Sequence, residues 1–316
     1  MIVSHQELEA EHARARALAL ASGCGPRHGL FGPASAFWTI NRESAVLLGG
    51  GAAVLLQLAH PYVAHAIDQH SRTRDDVLGR FRATFRHVLT MVFGTSDQAC
   101  AAAHRVYAVH ARIHGQITED VGRFAAGHRY HANEPEALLW VHATLVATAL
   151  DVYQAVVRPL GADERDAYYL SSKRFAYLFG IPDRVIPADY QAFRRYMDDT
   201  VASSTIAVCG PARDMARFLL SSPNRWQTPV WHLYRTITAG FLPERLRAPF
   251  GLSFDRARRI EFAWAIRALA ASYRALPDSL RYFPEYLSAR AGEPLDQPGA
   301  DRAALQRLIR LLLAVR

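Results

Sequence analysis

Apolar residues recur at steps of three and four along most of this chain, the spacing that gathers them on one face of an α-helix. Between Asp75 and Phe93, Leu78, Phe81, Phe85, Val88, Leu89 and Val92 form one such face. Arg80, Thr84 and His87 lie on an adjacent stripe. Gly94 ends that segment, and Thr95, Ser96 or Asp97 can cap the next. The following helix sets Ala99, Ala103, Val106, His110, Ile113 and Ile117 along a single stripe, with Gly115 and Gly122 bracketing its end. After a polar loop from Gly122 to Asn133, Glu134-Pro135 opens another helix, with proline in its preferred first turn. Its stripe reads Leu138, His142, Leu145, Ala149, Val152 and Val156. The pattern therefore puts His110 and His142 on the buried faces of two helices, which can line one pocket.

The same period predicts helices over 5–22, from Asp163 through Phe179, over Tyr190 to Val201, Trp231 to Ala239, Phe254 to Leu276 and Asp301 to Val315. A further helix is predicted to start near Asn41, with Glu43 in its first turn, and to run through Leu58 across Gly49-Gly50-Gly51. Three glycines cost a helix roughly 1 kcal/mol each relative to alanine. A break between two helices is the favoured reading, and close approach by a neighbouring helix or a flat cofactor is compatible with it. Pro277 to Pro298 reads as irregular or short-helical, and no stretch alternates as a strand. The fold class is all-α, a single helical domain over 35–275 with an N-terminal extension, 1–34, and a C-terminal helical extension, 276–316, packed on the same domain.

Composition narrows the function classes. The net charge of +8 is almost entirely arginine, Lys173 being the only lysine. The arginines are dispersed among apolar positions, without a zinc-finger, homeodomain or aromatic-basic signature, so no nucleic-acid partner is expected. Cys24, Cys100 and Cys209 are too few and too scattered for a disulfide framework or thiolate zinc site. The acidic N-terminal stretch is unlike a secretory signal, and no uninterrupted apolar run reaches ~18 residues, so a cytoplasmic protein without an integral membrane segment is expected. Arg302, Arg307, Arg310 and Arg316 beside C-terminal leucines are read as an ordinary packed terminal helix.

Histidine carries the candidate chemistry. Ten of the fourteen histidines lie between His60 and His142, and histidine is the commonest metal ligand. A zinc protease needs glutamate directly after its first histidine, whereas His110 is followed by Ala111. Ferritin-like di-iron sites need Glu-x-x-His pairs, and none occurs near these helices. Haem needs one axial ligand on an apolar helix. His110 meets that requirement, with His142, His60 and His114 as rivals. A lone histidine on an apolar face is more often a hydrogen-bonded core residue, so spacing alone does not choose. His65 and His70 read as solvated residues at a helix end. No Gly-x-Ser-x-Gly elbow occurs, and the glycine triplet lacks the lysine of a phosphate loop.

Several short motifs nevertheless occur in a specific order. They are Gln57-Leu58-Ala59-His60-Pro61, His70-Ser71, Gly79-Arg80-x-x-x-Thr84, Val92-Phe93-Gly94, His110-x-x-x-x-Gly115 and Leu139-Trp140-Val141-His142-Ala143-Thr144. Over about residues 35 to 275 the chain resembles the bacterial and fungal family of latex clearing protein (rubber oxygenase) and the MpaB oxygenase. The resemblance implies a globin-like helical core holding haem b, with His110 as proximal iron ligand and Arg80 and Thr84 as catalytic residues. It implies an oxygenase that uses dioxygen on an apolar small molecule, with oxidative cleavage of an isoprenoid or terpenoid C=C bond as the reaction. Ala83 stands where rubber oxygenase has a lysine able to cap the distal iron position, so the distal ligand stays open between His142 and His60. Two other functions stay open: a non-catalytic haem sensor or carrier ligated by two histidines, and a helical binding module without haem. Homo-oligomerisation is also open.

Overall fold

In the computed structural model the described residues are 2–70, 77–222, 224–293 and 295, with the side chains of 26 and 77–84 set aside. The helix predicted over Asp301 to Val315 lies outside them. The chain begins with α1 (His5–Ala21), α2 (Ala36–Asn41), a 3-10 segment (Ser44–Gly49), α3 (Gly50–Leu58) and α4 (Pro61–His70). It continues with α5 (Val77–Phe93), α6 (Ser96–His110), β1 (His114–Gln116), β2 (Arg129–His131) and α7 (Pro135–Val156). Then follow α8 (Ala162–Leu178), α9 (Tyr190–Ala202), α10 (Gly210–Leu220), α11 (Thr228–Phe241) and α12 (Glu244–Arg247). The last described elements are α13 (Arg256–Tyr273), α14 (Asp278–Arg281) and α15 (Pro284–Ala291). The class is all-α, as the period predicts, with one small exception. β1 and β2 pair antiparallel with His114 opposite His131, a hairpin too short for alternation to betray.

Local chemistry explains the helix starts. Ser4 caps α1 by accepting from Glu7 N at 3.2 Å, while Glu7 Oε2 accepts from Ser4 N at 2.9 Å. Of the three candidates before α6, Thr95 is the cap: it accepts from Gln98 N, and Gln98 Oε1 accepts from Thr95 N at 3.0 Å. Pro135 opens α7 behind Glu134. The helix expected to start near Asn41 is placed differently. Asn41 ends α2, its amide donating back to Phe37 O at 2.9 Å, and a 3-10 segment follows.

α7 is the centre of the molecule. It packs against the 3-10 segment, α3, α8, α11 and α13, and 15 of its 22 residues are buried. A single buried stripe, as the spacing suggests, understates it; a helix enclosed on every side is apolar all round. By length and apolarity it is also the one described helix able to cross a bilayer on its own, yet its faces are covered by protein. Its two buried threonines are satisfied locally: Thr144 and Thr148 donate to Val141 O and Thr144 O, each at 2.7 Å. Trp140 Nε1 donates to Leu56 O at 2.9 Å and ties α7 to α3.

Both readings of the glycine triplet hold. Gly49 and Gly50 mark the change from 3-10 to α geometry, and neighbouring helices approach closely there. A Cβ on Gly49 would lie 2.9 Å from Val152 Cγ2 of α7, and one on Gly51 would overlap Thr238 Oγ1 of α11.

Glu43, expected in the first turn of a helix starting near Asn41, precedes the 3-10 segment and is fully buried. Its carboxylate accepts from Arg281 Nε and Nη2 at 3.0 and 3.1 Å and from Tyr273 OH at 3.1 Å. Phe283 N donates to Arg42 O at 2.9 Å beside it. One buried carboxylate thus joins the start of the chain's core to α13 and α14. Glu43→Ala removes the carboxylate that Arg281 and Tyr273 share and leaves the Arg281 guanidinium, 22% exposed, to rehydrate only partly. The expected loss is about 2–3 kcal/mol in urea unfolding at unchanged m-value; a loss under ~0.5 kcal/mol would show that the cluster is not structural.

Candidate active site

The short Gly94-Thr95 link turns the chain back, so α5 and α6 pack side by side. The short link makes the pair antiparallel, a register in which the charge of Arg105 on α6 reaches His87 on α5. In that register the early turns of α5, which carry Arg80 and Thr84, run beside the last turns of α6, which end at His110. Arg80 and Thr84 are one turn apart on α5; their side chains are not among those described.

His110 is the last residue of α6 and half-buried, rather than mid-helix. Its carbonyl accepts from Ile113 N at 3.0 Å, and Ile113 and Ile117 belong to the turn and hairpin that follow. The unbroken stripe through Ile117 was a coincidence of spacing, because the chain leaves the helix before Gly115 can end it. His114 is exposed on β1, its ring 6.2 Å from that of His131, and its carbonyl is within 2.9 Å of His70 Nε2. A cavity of about 500 Å³ opens over this hairpin, lined by His114, Arg129, Tyr130, His131 and Glu134 among others.

His142 is in the middle of α7 and 2% exposed. Neither of its ring nitrogens has a hydrogen-bond partner among the described residues. The nearest ring is Phe175 of α8, 5.9 Å away. Burial pushes the imidazole pKa down to about 3, so it is neutral, with one N–H and one lone pair that no described residue answers. Leaving such groups unmet costs about 1–3 kcal/mol each. His60 is also buried, between α3 and α4, and its Nδ1 accepts from Tyr62 N at 3.3 Å. Its ring sits among those of Tyr62 and Phe124, and burial, aided by the charge of Arg123, holds its pKa at about 3.

His65 corrects an expectation. It is not solvated but fully buried; Nδ1 donates to Pro61 O at 2.9 Å and Nε2 accepts from Thr118 N at 3.2 Å. Cys209 Sγ lies 3.9 Å from it, with a thiol that burial pushes up to about 11. His70, by contrast, is exposed at the end of α4, as expected.

Residues 37–271 match the family described as ER-bound oxygenase mpaB/B'/Rubber oxygenase, catalytic domain. The chain belongs to this family. Its oxygenase domain covers α2 through most of α13 and so includes every histidine from His60 to His142. Uncharacterised proteins of Mycobacterium bovis and Mycobacterium tuberculosis are each 25% identical to this chain over 233 residues, 71% of this chain and 87% of theirs. No solved structure matches.

The two neutral histidines make folding of the oxygenase domain pH-dependent. Their pKa is near 6.5 unfolded and about 3 folded, so the unfolded chain binds more protons below pH 6.5. This part of the stability is complete above pH 6.5 and is lost as pH falls toward 3. The slope approaches 1.4 kcal/mol per pH unit per histidine, roughly. Urea unfolding of cofactor-free protein between pH 7 and 5 should show that slope, with His142→Leu removing about half of it; an unaltered slope in the variant means His142 does not titrate as a buried base.

Proposed function

We propose that this oxygenase-family protein is haem b-dependent and uses dioxygen on an apolar small molecule, cleaving a C=C bond of an isoprenoid or terpenoid. The observation that carries the reading is His142: a buried imidazole whose two nitrogens have no partner among the described residues suits a group bound from outside the chain. The bound haem would supply the oxygen chemistry; the residues below bind, orient and exclude water.

In this reading His110 would hold the haem iron. Its place at the C-terminus of α6 sets the imidazole at the negative end of the helix dipole, which favours a cation in front of it. Arg80 and Thr84, on the helix antiparallel to α6, would supply the polar contacts that orient the haem and the reactants beside it. His142 and His60 are held neutral by burial, so each can offer a lone pair or an N–H, but no charge, to the pocket. The burial of His142 within α7 would exclude water from a group held there. His114, exposed on the hairpin, belongs at the rim. Because the His142 nitrogens have no partner among the described residues, ligation by both His110 and His142 in a non-catalytic carrier or sensor is the second reading.

Hemin added to the purified chain should give a Soret band at one equivalent, displaced or lost in His110→Ala. A band that is unchanged in His110→Ala removes His110 as ligand, and no band at all removes haem. Arg80→Ala and Thr84→Val should keep the band while oxygen uptake with a polyisoprenoid or terpenoid alkene falls about 10²-fold. A six-coordinate spectrum that becomes five-coordinate in His142→Ala, without oxygen uptake in either protein, decides for the carrier.

A further inference from the structure

A second histidine cluster lies outside this site, where α1 meets α6. His5 and Glu9 are one turn apart on α1, and His104 faces them from α6. His104 Nε2 lies 2.5 Å from Glu9 Oε1, and His5 Nε2 lies 3.7 Å from the same oxygen. One ligand atom from each of the three residues falls within 4.8 Å of the others. The rings of His5 and His104 are 6.0 Å apart, and His12 packs edge-on against His104 at 4.9 Å.

The partner of the other nitrogen decides what this arrangement can be. His104 Nδ1 is 2.9 Å from Cys100 O, a carbonyl that can only accept, so Nδ1 carries a proton. In the neutral ring Nε2 is then a lone pair, pointed at a carboxylate oxygen, and two acceptors cannot rest 2.5 Å apart with nothing between them. Either a second proton or a metal ion joins them. The backbone carbonyl behind Nδ1 is the usual support of a ligating histidine, since it fixes both tautomer and ring orientation.

We propose that His5, Glu9 and His104 form a zinc site that fastens α1 to α6, with a water in the fourth position. Two imidazoles and one carboxylate suit Zn²⁺ in donor type and number. Zn–N and Zn–O bonds of about 2.0–2.2 Å require the His104–Glu9 pair to open by less than ~1 Å. Glu9 and His5 are exposed on their helix and have that freedom. The trio of buried His65 and Cys209 with half-buried Glu119 has similar proximity but a different character. Both ring nitrogens of His65 are already committed to Pro61 O and Thr118 N, and Glu119 accepts from Gly210 N at 2.7 Å. An ion there would have to break bonds that an ion at His104 would not.

The site is independent of haem, and its ion would hold the helix that ends at His110. Calorimetric titration of tag-free, chelator-stripped full chain with ZnCl₂ alone should show one equivalent bound. His5→Ala and Glu9→Gln should each weaken it at least 10-fold, the lower end of what losing even a supporting group costs. Co²⁺ in place of zinc should give the visible absorption of a tetrahedral ion, lost in the same variants. His114→Ala, on the exposed hairpin, should leave the affinity unchanged. Zinc should raise the melting temperature of the parent chain and not that of His5→Ala, which alters only an exposed side chain and keeps the test valid if His104→Ala fails to fold. No zinc uptake at 100-fold excess, or equal uptake by the parent chain and His5→Ala, overturns the proposal and leaves a proton-bridged ion pair.

Discussion

The enclosure of α7 is the constraint that the rest of the fold serves. A helix apolar on every face has no solvent side, so the other elements must surround it. The 3-10 segment and α3 cover one side, and α8, α11 and α13 close the others. Each buried Leu or Val contributes roughly 1.5–3 kcal/mol, and α7 supplies many of them. This also explains the glycines before α3, because a Cβ at Gly49 or Gly51 would meet α7 or α11. Close packing in turn demands that every polar group on α7 find a partner within reach. Thr144 and Thr148 turn back onto their own backbone, and Trp140 reaches α3.

His142 is the exception that this constraint makes informative. Unlike His65 and His104, whose Nδ1 atoms donate to the carbonyl four residues back, its ring meets no polar partner among the described residues and packs near Phe175. A chain selected for stability alone would place leucine there. The same burial that leaves the nitrogens unmet keeps the ring neutral, a state in which imidazole serves as a ligand or a hydrogen-bond partner. Membership of an oxygenase family gives that arrangement its chemical context, and the α5–α6 hairpin brings the helix of Arg80 and Thr84 alongside the one ending at His110.

Charge is used sparingly and at junctions. Glu43, buried with Arg281 and Tyr273, joins early and late parts of the chain that apolar contact alone would leave free to slide. Specificity of this kind costs desolvation and repays it only while each partner stays in place. At the surface, Arg16 with Asp97 and His104 with Glu9 tie α1 to α6. α1 and α6 therefore rest on polar contacts that solvent and ions can reach.

Much of this was legible in the chain before folding. Periodicity determined the helical class, the extents of α5 and α8 to within a few residues, the proline start of α7 and the burial of His142, because those signals are local. The ordered motifs determined the family. Tertiary structure decided the rest. Whether the stripe through His110 continued into Ile117 depended on the chain turning into a hairpin at His114, where pairing with His131 outweighed helical spacing. His65 looked solvated because its partners, Thr118 and Cys209, come from 53 and 144 residues away. Glu43 could not be read as buried, since the arginine that neutralises it follows 238 residues later. His5 and Glu9 show in sequence as one helical turn, but His104 joins them only because α6 packs beside α1. Sequence fixes what a residue can do within its own turn of helix; which distant group it meets is set by how the surrounding elements close over α7.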